Sequence, residues 1–259
     1  YWSDRSGEYE LYVRPAAGGA ERKLTAYGPG FRYRPYWSPD GKKLAFVDQT
    51  MTIRVFDTET AQTVRVDQAL NWFHGNLQGF RPSWSADSRW LAYSRDLPNQ
   101  LDAIFLYDTR AGRAQQVTAG YYDDRSPVFD PDGKYLYFLS SRTLRPVYSD
   151  YGNTWIYPNT TNLVAVALRP DVPSPLAPRN DVEGARSDSA AAQPGAPPAG
   201  GAARPAQAPA RGGRQPAAAP AAPAVAPAAA KPPAPVEIDT AGFERRVVVL
   251  PPTAGNYAE

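Results

Sequence analysis

The chain has 259 residues, no cysteine, and 28 basic against 26 acidic side chains, a formal net charge of +2. This length allows one or two domains with a sizeable core, and the lack of cysteine excludes disulfides and thiolate metal sites. Four of the basic residues and no acidic residue lie in 189–235, so the remainder has 24 basic and 26 acidic side chains. This balance argues against nucleic acid as a partner, and no run approaches the roughly 20 apolar residues that cross a bilayer, which argues against a membrane.

A short segment occurs three times, each time as an aromatic residue, a tight turn and a second apolar strand. The aromatic residues are Trp37, Trp84 and Phe129, with spacings of 47 (84 − 37) and 45 (129 − 84) residues. Turns such as Pro39-Asp40-Gly41 suit a reversal because Pro presets φ, Asp bonds nearby backbone and Gly accepts positive φ. A period in the forties with several short strands per unit is typical of a β-propeller blade.

In chain order, the pattern predicts a first blade that lacks one strand (1–25) and two complete blades (31–68 and 80–119). A fourth blade begins at Ser126. Its third strand is predicted at Leu163–Leu168, displaced by an insertion between Arg142 and Thr161. The predicted fold is therefore all-β, a β-propeller fragment of about four four-stranded blades with a disordered Ala/Pro-rich insertion.

The composition divides the chain into three parts: blades in 1–185, the insertion in 186–235, and a returning part in 236–259. The insertion is predicted to be disordered because it offers too little apolar surface to offset the entropy of ordering. In the returning part, Val236–Asp239 has strand patterning, and Phe243–Leu250 is predicted as the fourth strand of blade four. The residues after it read as the start of a further blade, so we expect the chain to be a piece of a longer protein.

The candidate site lies on one face of the predicted disc, where loops lead into the first strand of each blade. Arg34, Arg81 and Arg125 stand at nearly the same place in their repeats, three or four residues before the strand aromatic. One hypothesis is a ring of guanidinium groups that binds anionic or C-terminal groups of a peptide. The alternative is that each arginine pairs with an acid of a neighbouring blade, such as Asp123 or Asp124. The complete set of candidate binding residues is Arg34, Arg81, Arg125, His74, Trp72, Tyr122 and Asp124.

The sequence predicts no catalytic residue, metal or cofactor in this chain. His74 is the only histidine, and no Gly-x-Ser-x-Gly elbow accompanies it. A zinc site with one histidine and no cysteine is not expected. Asp123 and Asp124 are adjacent, so on an extended strand their side chains would point to opposite sides.

Several stretches resemble the propeller region of the tricorn proteases and their bacterial homologues. These stretches are 1–14, 81–85, 91–96, 120–138, 153–159 and 242–251. The resemblance implies a large serine peptidase that degrades oligopeptides, with two propellers, a PDZ-like domain and a separate catalytic domain. This chain would be part of the second propeller, which guides peptides while the catalytic residues lie downstream. It also implies a homo-oligomeric parent protein. The lack of cysteine suits a reducing compartment, so we expect the parent protein in the cytoplasm, with the periplasm as the alternative.

Two other functions are also compatible with the sequence. The aromatic-Ser-Pro-Asp-Gly repeat is shared with TolB-like propellers, so the chain could be a non-catalytic scaffold that binds a protein partner. The propeller of a prolyl-oligopeptidase-type enzyme is the third reading. The domains that follow Glu259 in the parent protein would distinguish the three.

Overall fold

A computed structural model describes residues 1–70, 80–149, 152, 154–178, 233–255 and 257. The chain divides into two compact units, and the strands lie in the unit formed by Tyr1–Ala177 and Pro232–Glu259. The other unit is Pro178–Lys231. The prediction of disorder for 186–235 falls almost entirely on residues outside the described ranges. Within those ranges, no helix is long and apolar enough to span a lipid bilayer.

The described residues form antiparallel sheets that correspond to four blades. Blade one has three strands: β1 (Trp2–Ser3), β2 (Glu10–Val13) and β3 (Arg22–Lys23). Blade two has β4 (Tyr36–Trp37), β5 (Lys43–Val47), β6 (Thr52–Asp57) and β7 (Thr63–Gln68). Blade three has β8 (Ser83–Trp84), β9 (Trp90–Asp96), β10 (Asp102–Asp108) and β11 (Arg113–Gln116). Blade four has β12 (Asp124–Phe129), β13 (Tyr135–Ser140), β16 (Asn162–Ala167) and β17 (Val247–Val249). The all-β propeller prediction is confirmed, including the incomplete first blade.

The repeat aromatics occupy equivalent places in their sheets. Trp37 pairs with Leu44, Trp84 with Leu91, and Phe129 with Leu136, each across the first turn of its blade. The turns after these aromatics contain residues at positive φ: Gly41 at 70°, Ser88 at 60° and Gly133 at 67°. Glycine adopts this conformation at little cost. The repeat therefore gives the same turn in blades two, three and four, with a serine in place of the glycine in blade three.

In the described part of the chain, the buried apolar side chains form three layers, each between two neighbouring blades. Leu11 of blade one packs with Leu44, Phe46 and Phe56 of blade two. Blades two and three meet through a second layer, which includes Val47, Ile53, Tyr93 and Phe105. Blades three and four meet through a third, which includes Ile104, Leu106, Leu136 and Phe138. Successive residues such as Leu44 and Ala45 therefore face opposite neighbours, as expected for strands buried on both faces.

Blade four differs from the sequence prediction in two segments. Val247–Val249 pairs with Val164–Val166 as the fourth strand, as predicted, but Phe243–Arg246 forms a 3₁₀ turn instead of continuing that strand. The turn follows Gly242 at φ 60°, and it places Phe243 in the apolar layer with 2% exposure. Val236–Asp239 forms no strand, because the backbone N–H and carbonyl of Val236 bond to the side chains of Asp87 and Trp90 in blade three instead of a neighbouring strand.

Candidate functional site

The loops that lead into the first strands, which we call the approach loops, lie against the connections between the second and third strands. In blade two, the Tyr33 N–H donates to the Val47 carbonyl and the Gln49 N–H to the Phe31 carbonyl, both at 2.9 Å. In blade four, the N–H of Ser141 donates to the carbonyl of Asp123 at 3.1 Å. These backbone bonds bring both sets of loops to one side of the sheets, which we call the loop face.

Arg34 and Arg81 lie on approach loops, Arg125 lies at the start of β12, and all three are exposed. The guanidinium carbon of Arg34 lies 5.3 Å from the ring centroid of Tyr36. Nη1 of Arg125 lies 3.5 Å from Oδ2 of Asp123, a neighbour in its own loop. An exposed pair of this kind contributes little to stability, so Arg125 remains available to an anionic ligand.

A β-bulge explains why Arg125 precedes its strand aromatic by four residues when Arg34 and Arg81 precede theirs by three. The register of β12 against β13 shifts between Arg125 and Val128, so three steps on β12 oppose two on β13. A bulge inserts one residue without changing the rest of the ladder. Arg125 therefore keeps the position that Arg81 has in blade three.

The other candidate residues are not all at the surface. Trp72 and His74 lie outside the described residues, so their binding roles remain predictions. Tyr122 is 38% exposed, and its ring centroid lies 4.6 Å from the guanidinium carbon of Arg142. Arg142 therefore supports the side chain of Tyr122 on the loop face.

Asp124 has a fully buried side chain, in contrast to Asp123 beside it. Its Oδ1 accepts a hydrogen bond from the hydroxyl of Ser140, and Nη2 of Arg142 lies 3.8 Å away. Burial raises the pKa of Asp124, which the hydrogen bond from Ser140 and the charge of Arg142 partly oppose. Asp124 thus lies beside Arg142, which also contacts Tyr122, and its own carboxylate is not at the surface.

A second carboxylate with an altered pKa, Asp102, begins the third strand of blade three. Its backbone N–H donates to Oδ1 of Asp123 at 3.2 Å. The pKa of Asp102 is raised to about 6, mainly by burial and also by the negative charges of Asp123 and Asp96, while the positive charge of Arg125 acts to lower it. The positive charge of Arg125 therefore partly offsets the effect of the neighbouring carboxylates on the pKa of Asp102. In the ranges that the structure covers, no group of three or more histidine or acidic side chains could hold a metal ion.

Two features of this face were not predicted from the sequence. The first is a hairpin inside the insertion of blade four, formed by β14 (Val147–Ser149) and β15 (Thr154–Ile156). Its rings Tyr148 and Trp155 are 50% and 58% exposed and meet edge to face at 5.6 Å. The aromatic and β-branched residues of 147–157, such as Val147, Tyr148, Trp155 and Ile156, are the signal that could have indicated strands there.

The second feature is a pocket of about 400 Å³ at the loop-face end of blade four. Its walls come from the approach to β8, the bulged part of β12, and the ends of β13 and β16. The lining residues include Arg81, Ser83, Ser126, Val128, Leu139 and Leu163. One predicted arginine therefore lies at the edge of a cavity that no sequence pattern indicated, because its walls come from segments up to 82 residues apart (163 − 81).

These radial four-stranded sheets define the chain as a β-propeller domain. The family described as "Tricorn protease second beta propeller domain" matches residues 1–259, so the chain belongs to this family. Tricorn protease homolog 1 of Streptomyces coelicolor is 29% identical over 181 residues, which are 68% of this chain and 16% of that protein. The chain thus spans about one sixth of the length of that relative.

Two further comparisons agree on the fold. The crystal structure of the tricorn protease superposes with a TM-score of 0.66 and 19% identity, covering 97% of this chain and 20% of that one. The protein TolB homolog of Chlorobium chlorochromatii is 30% identical over 143 residues, which are 54% of this chain and 30% of that protein. The tricorn family membership predicted from the sequence is confirmed.

Proposed function

We propose that this propeller domain docks oligopeptides on its loop face and guides them for a tricorn-like serine peptidase, while residues outside this chain perform the hydrolysis. The observation that carries the proposal is the repeated placement of Arg34, Arg81 and Arg125. All three are exposed near the beginning of the first strand in consecutive blades, and the bulge in β12 compensates for the one extra residue before Phe129.

The chemistry of these groups suits peptides. A guanidinium group donates two parallel hydrogen bonds to a carboxylate, which gives both affinity and orientation. The exposed rings of Tyr121 and Tyr122, at 80% and 38%, supply flat apolar surface beside Arg125. A peptide with an anionic group could therefore be held at several successive points of the same face.

The test removes the three charges together. The variant Arg34→Gln/Arg81→Gln/Arg125→Gln is titrated with fluorescein-labelled acidic oligopeptides, and binding is followed by fluorescence anisotropy at low ionic strength. We expect affinity to fall at least about tenfold, since hydrogen bonds to charged groups typically contribute about 1.5–3 kcal/mol each.

The matched control is Arg22→Gln/Arg110→Gln/Arg113→Gln, which removes the same charge from exposed residues on β3, on the β10–β11 connection and at the start of β11. This triple variant on β3, the β10–β11 connection and β11 should bind like the unmodified chain. Equal peptide affinity in all three proteins, with native circular dichroism spectra, would refute the docking role.

The wider setting is also part of the proposal. We infer that the parent protein carries PDZ-like and peptidase domains, assembles as a homo-oligomer and acts in the cytoplasm. A second candidate, a TolB-like scaffold that binds a protein partner, is favoured by the likeness to the TolB homolog. The domains encoded after Glu259 decide between them: a peptidase domain supports the first function, and its absence supports the second.

A further inference from the structure

The returning segment contacts the approach loop of blade four through the carboxylate of Glu244. The 3₁₀ turn buries Phe243 in the apolar layer, and the side chain that follows, Glu244, is 30% exposed. Its Oε2 accepts a hydrogen bond of 3.2 Å from the backbone N–H of Ala119, and its Oε1 lies 3.7 Å from Nη2 of Arg142. The two oxygens of one side chain therefore hold two different parts of the loop face.

The guanidinium group of Arg142 is held from several sides. Its Nε donates a hydrogen bond of 2.7 Å to the hydroxyl oxygen of Ser140. Its Nη2 lies 3.8 Å from Oδ1 of Asp124 and 3.7 Å from Oε1 of Glu244. The guanidinium carbon lies over the ring of Tyr122, 4.6 Å from its centroid. Because a guanidinium group is attracted to the face of an aromatic ring, the orientation of Arg142 sets where the Tyr122 ring rests.

The backbone of the same approach loop is attached on both sides of its two tyrosines. Before them, the Ala119 N–H makes the hydrogen bond to the returning segment. After them, the N–H of Asp123 donates to the hydroxyl oxygen of Ser141 at 3.0 Å. Tyr121 and Tyr122 lie between these two attachments, with 80% and 38% of their surface exposed. The carboxylate of the returning segment thus fixes both the start of the loop and the support of its second ring.

A ring that is exposed and held in place is suited to bind another ring. Aromatic side chains attract each other in edge-to-face and offset arrangements, beyond the effect of buried area alone. Less conformational freedom is lost on binding when one of the two partners is already in position. The exposed part of Tyr122 therefore favours an aromatic side chain of a bound peptide, while Arg125, three residues further on, favours an anionic one.

We propose that Glu244 is a positioning residue for peptide docking: it holds the approach loop and Arg142 so that Tyr122 presents its ring to an aromatic side chain of the oligopeptide. Glu244 acts through these groups and not by touching the peptide. This inference rests on the proposed docking function. It adds a preference of the loop face for aromatic side chains and names the residue that sets the preference.

The test measures the affinity of the whole 259-residue chain for two fluorescein-labelled peptides of equal charge, Gly-Asp-Gly-Phe-Gly-Asp and Gly-Asp-Gly-Ser-Gly-Asp, by anisotropy. The unmodified chain should bind the phenylalanine peptide about fivefold more tightly than the serine peptide. Glu244→Ala should lower this ratio at least about twofold. The ratio is compared because the loss of a negative charge acts on both peptides alike. Glu237→Ala, at an exposed acid of the same returning segment, is the matched control and should keep the ratio.

A milder variant separates positioning from general damage to the fold. Glu244→Gln loses the charge beside Arg142 but keeps an oxygen that accepts a hydrogen bond from the Ala119 N–H, so its ratio should fall between those of Glu244→Ala and the unmodified chain. It carries the same comparison if Glu244→Ala does not fold. A purely structural role for Glu244 predicts equal weakening of both peptides and an unchanged ratio, and that result would overturn the proposal.

A double-mutant cycle tests whether Glu244 acts through Tyr122. Tyr122→Ala should bring the ratio to about one, and adding Glu244→Ala should then change nothing, because two residues that act through one contact are not additive. If Glu244→Ala lowers the ratio equally with and without Tyr122, or if the unmodified chain binds both peptides equally, the positioning role is wrong and the docking function stands. If neither peptide binds, both are wrong.

Discussion

The indole N–H of Trp90 donates a hydrogen bond of 2.9 Å to the carbonyl oxygen of Val236, 146 residues further along the chain. The backbone N–H of Val236 donates in turn to Oδ2 of Asp87 at 2.8 Å. Both polar groups of this peptide backbone are thus held by the first turn and second strand of blade three. The side chain of Val236 is 3% exposed and belongs to the apolar layer between blades three and four. The returning segment therefore fastens the two blades together.

Truncation of Val236 should weaken this attachment. Val236→Ala removes two buried carbon atoms, and we expect the free energy of unfolding to fall by about 2 kcal/mol. Urea denaturation followed by tryptophan fluorescence measures the change. Val64→Ala, at a position that is 45% exposed, should change stability by less than about 0.5 kcal/mol. Equal losses in the two variants would show that Val236 has no special role.

Gly133 is the position where this segment approaches the first turn of blade four most closely. A Cβ atom on Gly133 would lie 2.7 Å from Cγ2 of Val236, and the φ of Gly133 is +67°. Gly133→Ala therefore combines a clash with backbone strain. Gly41 has nearly the same φ, +70°, in the equivalent turn of blade two, and a Cβ there would meet nothing within 4 Å.

The two glycine variants separate these effects. Gly41→Ala should cost about 1 kcal/mol, the price of the left-handed conformation alone, and Gly133→Ala should cost at least about 1 kcal/mol more. Thermal and urea unfolding of both variants measure the difference. The clash with Val236 is disproved if the two substitutions are equally destabilising, and the Gly133→Ala/Val236→Ala double variant should recover part of the loss.

The repeat gave the architecture reliably because each blade uses local signals. The turn residues, the alternation after them and the period all agree on one sheet per repeat, which is why the strands around Trp37, Trp84 and Phe129 fall in equivalent registers. The 3₁₀ turn at Phe243–Arg246 was missed because a buried aromatic and a following valine run also fit a strand. Tertiary burial of Phe243 decided the outcome.

The site was only partly accessible from the sequence. Equivalent positions in the repeat identified Arg34, Arg81 and Arg125, and adjacency predicted different surroundings for Asp123 and Asp124, whose side chains are 32% and 0% exposed. The alternation alone does not say which of the two faces inward, and it is Asp124. The pocket could not be predicted because it depends on the β12 bulge. The Ser126-Pro127 pair is not a specific sequence signal for a bulge.

The approach loop of blade two contains two arginines, Arg32 and Arg34, whose surroundings differ. Arg32 is 8% exposed, and its Nη1 donates to the carbonyl oxygens of Gly28 at 2.9 Å, Gly30 at 2.6 Å and Tyr9 at 3.1 Å. Arg32→Met leaves these acceptors without their donor, so we expect a loss of about 2–3 kcal/mol in unfolding free energy. Arg34→Met, at an exposed position, should be nearly neutral. Urea denaturation compares them, and an equal, small effect of both would contradict a structural role for Arg32.

The raised pKa of Asp102, to about 6, predicts a pH dependence of stability. Burial is the main cause, and it favours the protonated carboxyl in the folded state over the ordinary value of 3.8 in the unfolded chain. The folded state therefore binds more protons between about pH 4 and pH 6, so the contribution of Asp102 to stability falls as the pH rises through this window. Asp102→Asn cannot titrate, and its urea midpoint relative to that of the unmodified chain should rise from pH 4 to pH 6.5 and then stay level. Asp132→Asn, whose side chain is 73% exposed, is the control and should show no such rise. A constant difference between Asp102→Asn and the unmodified chain across this range would rule out the proposed shift.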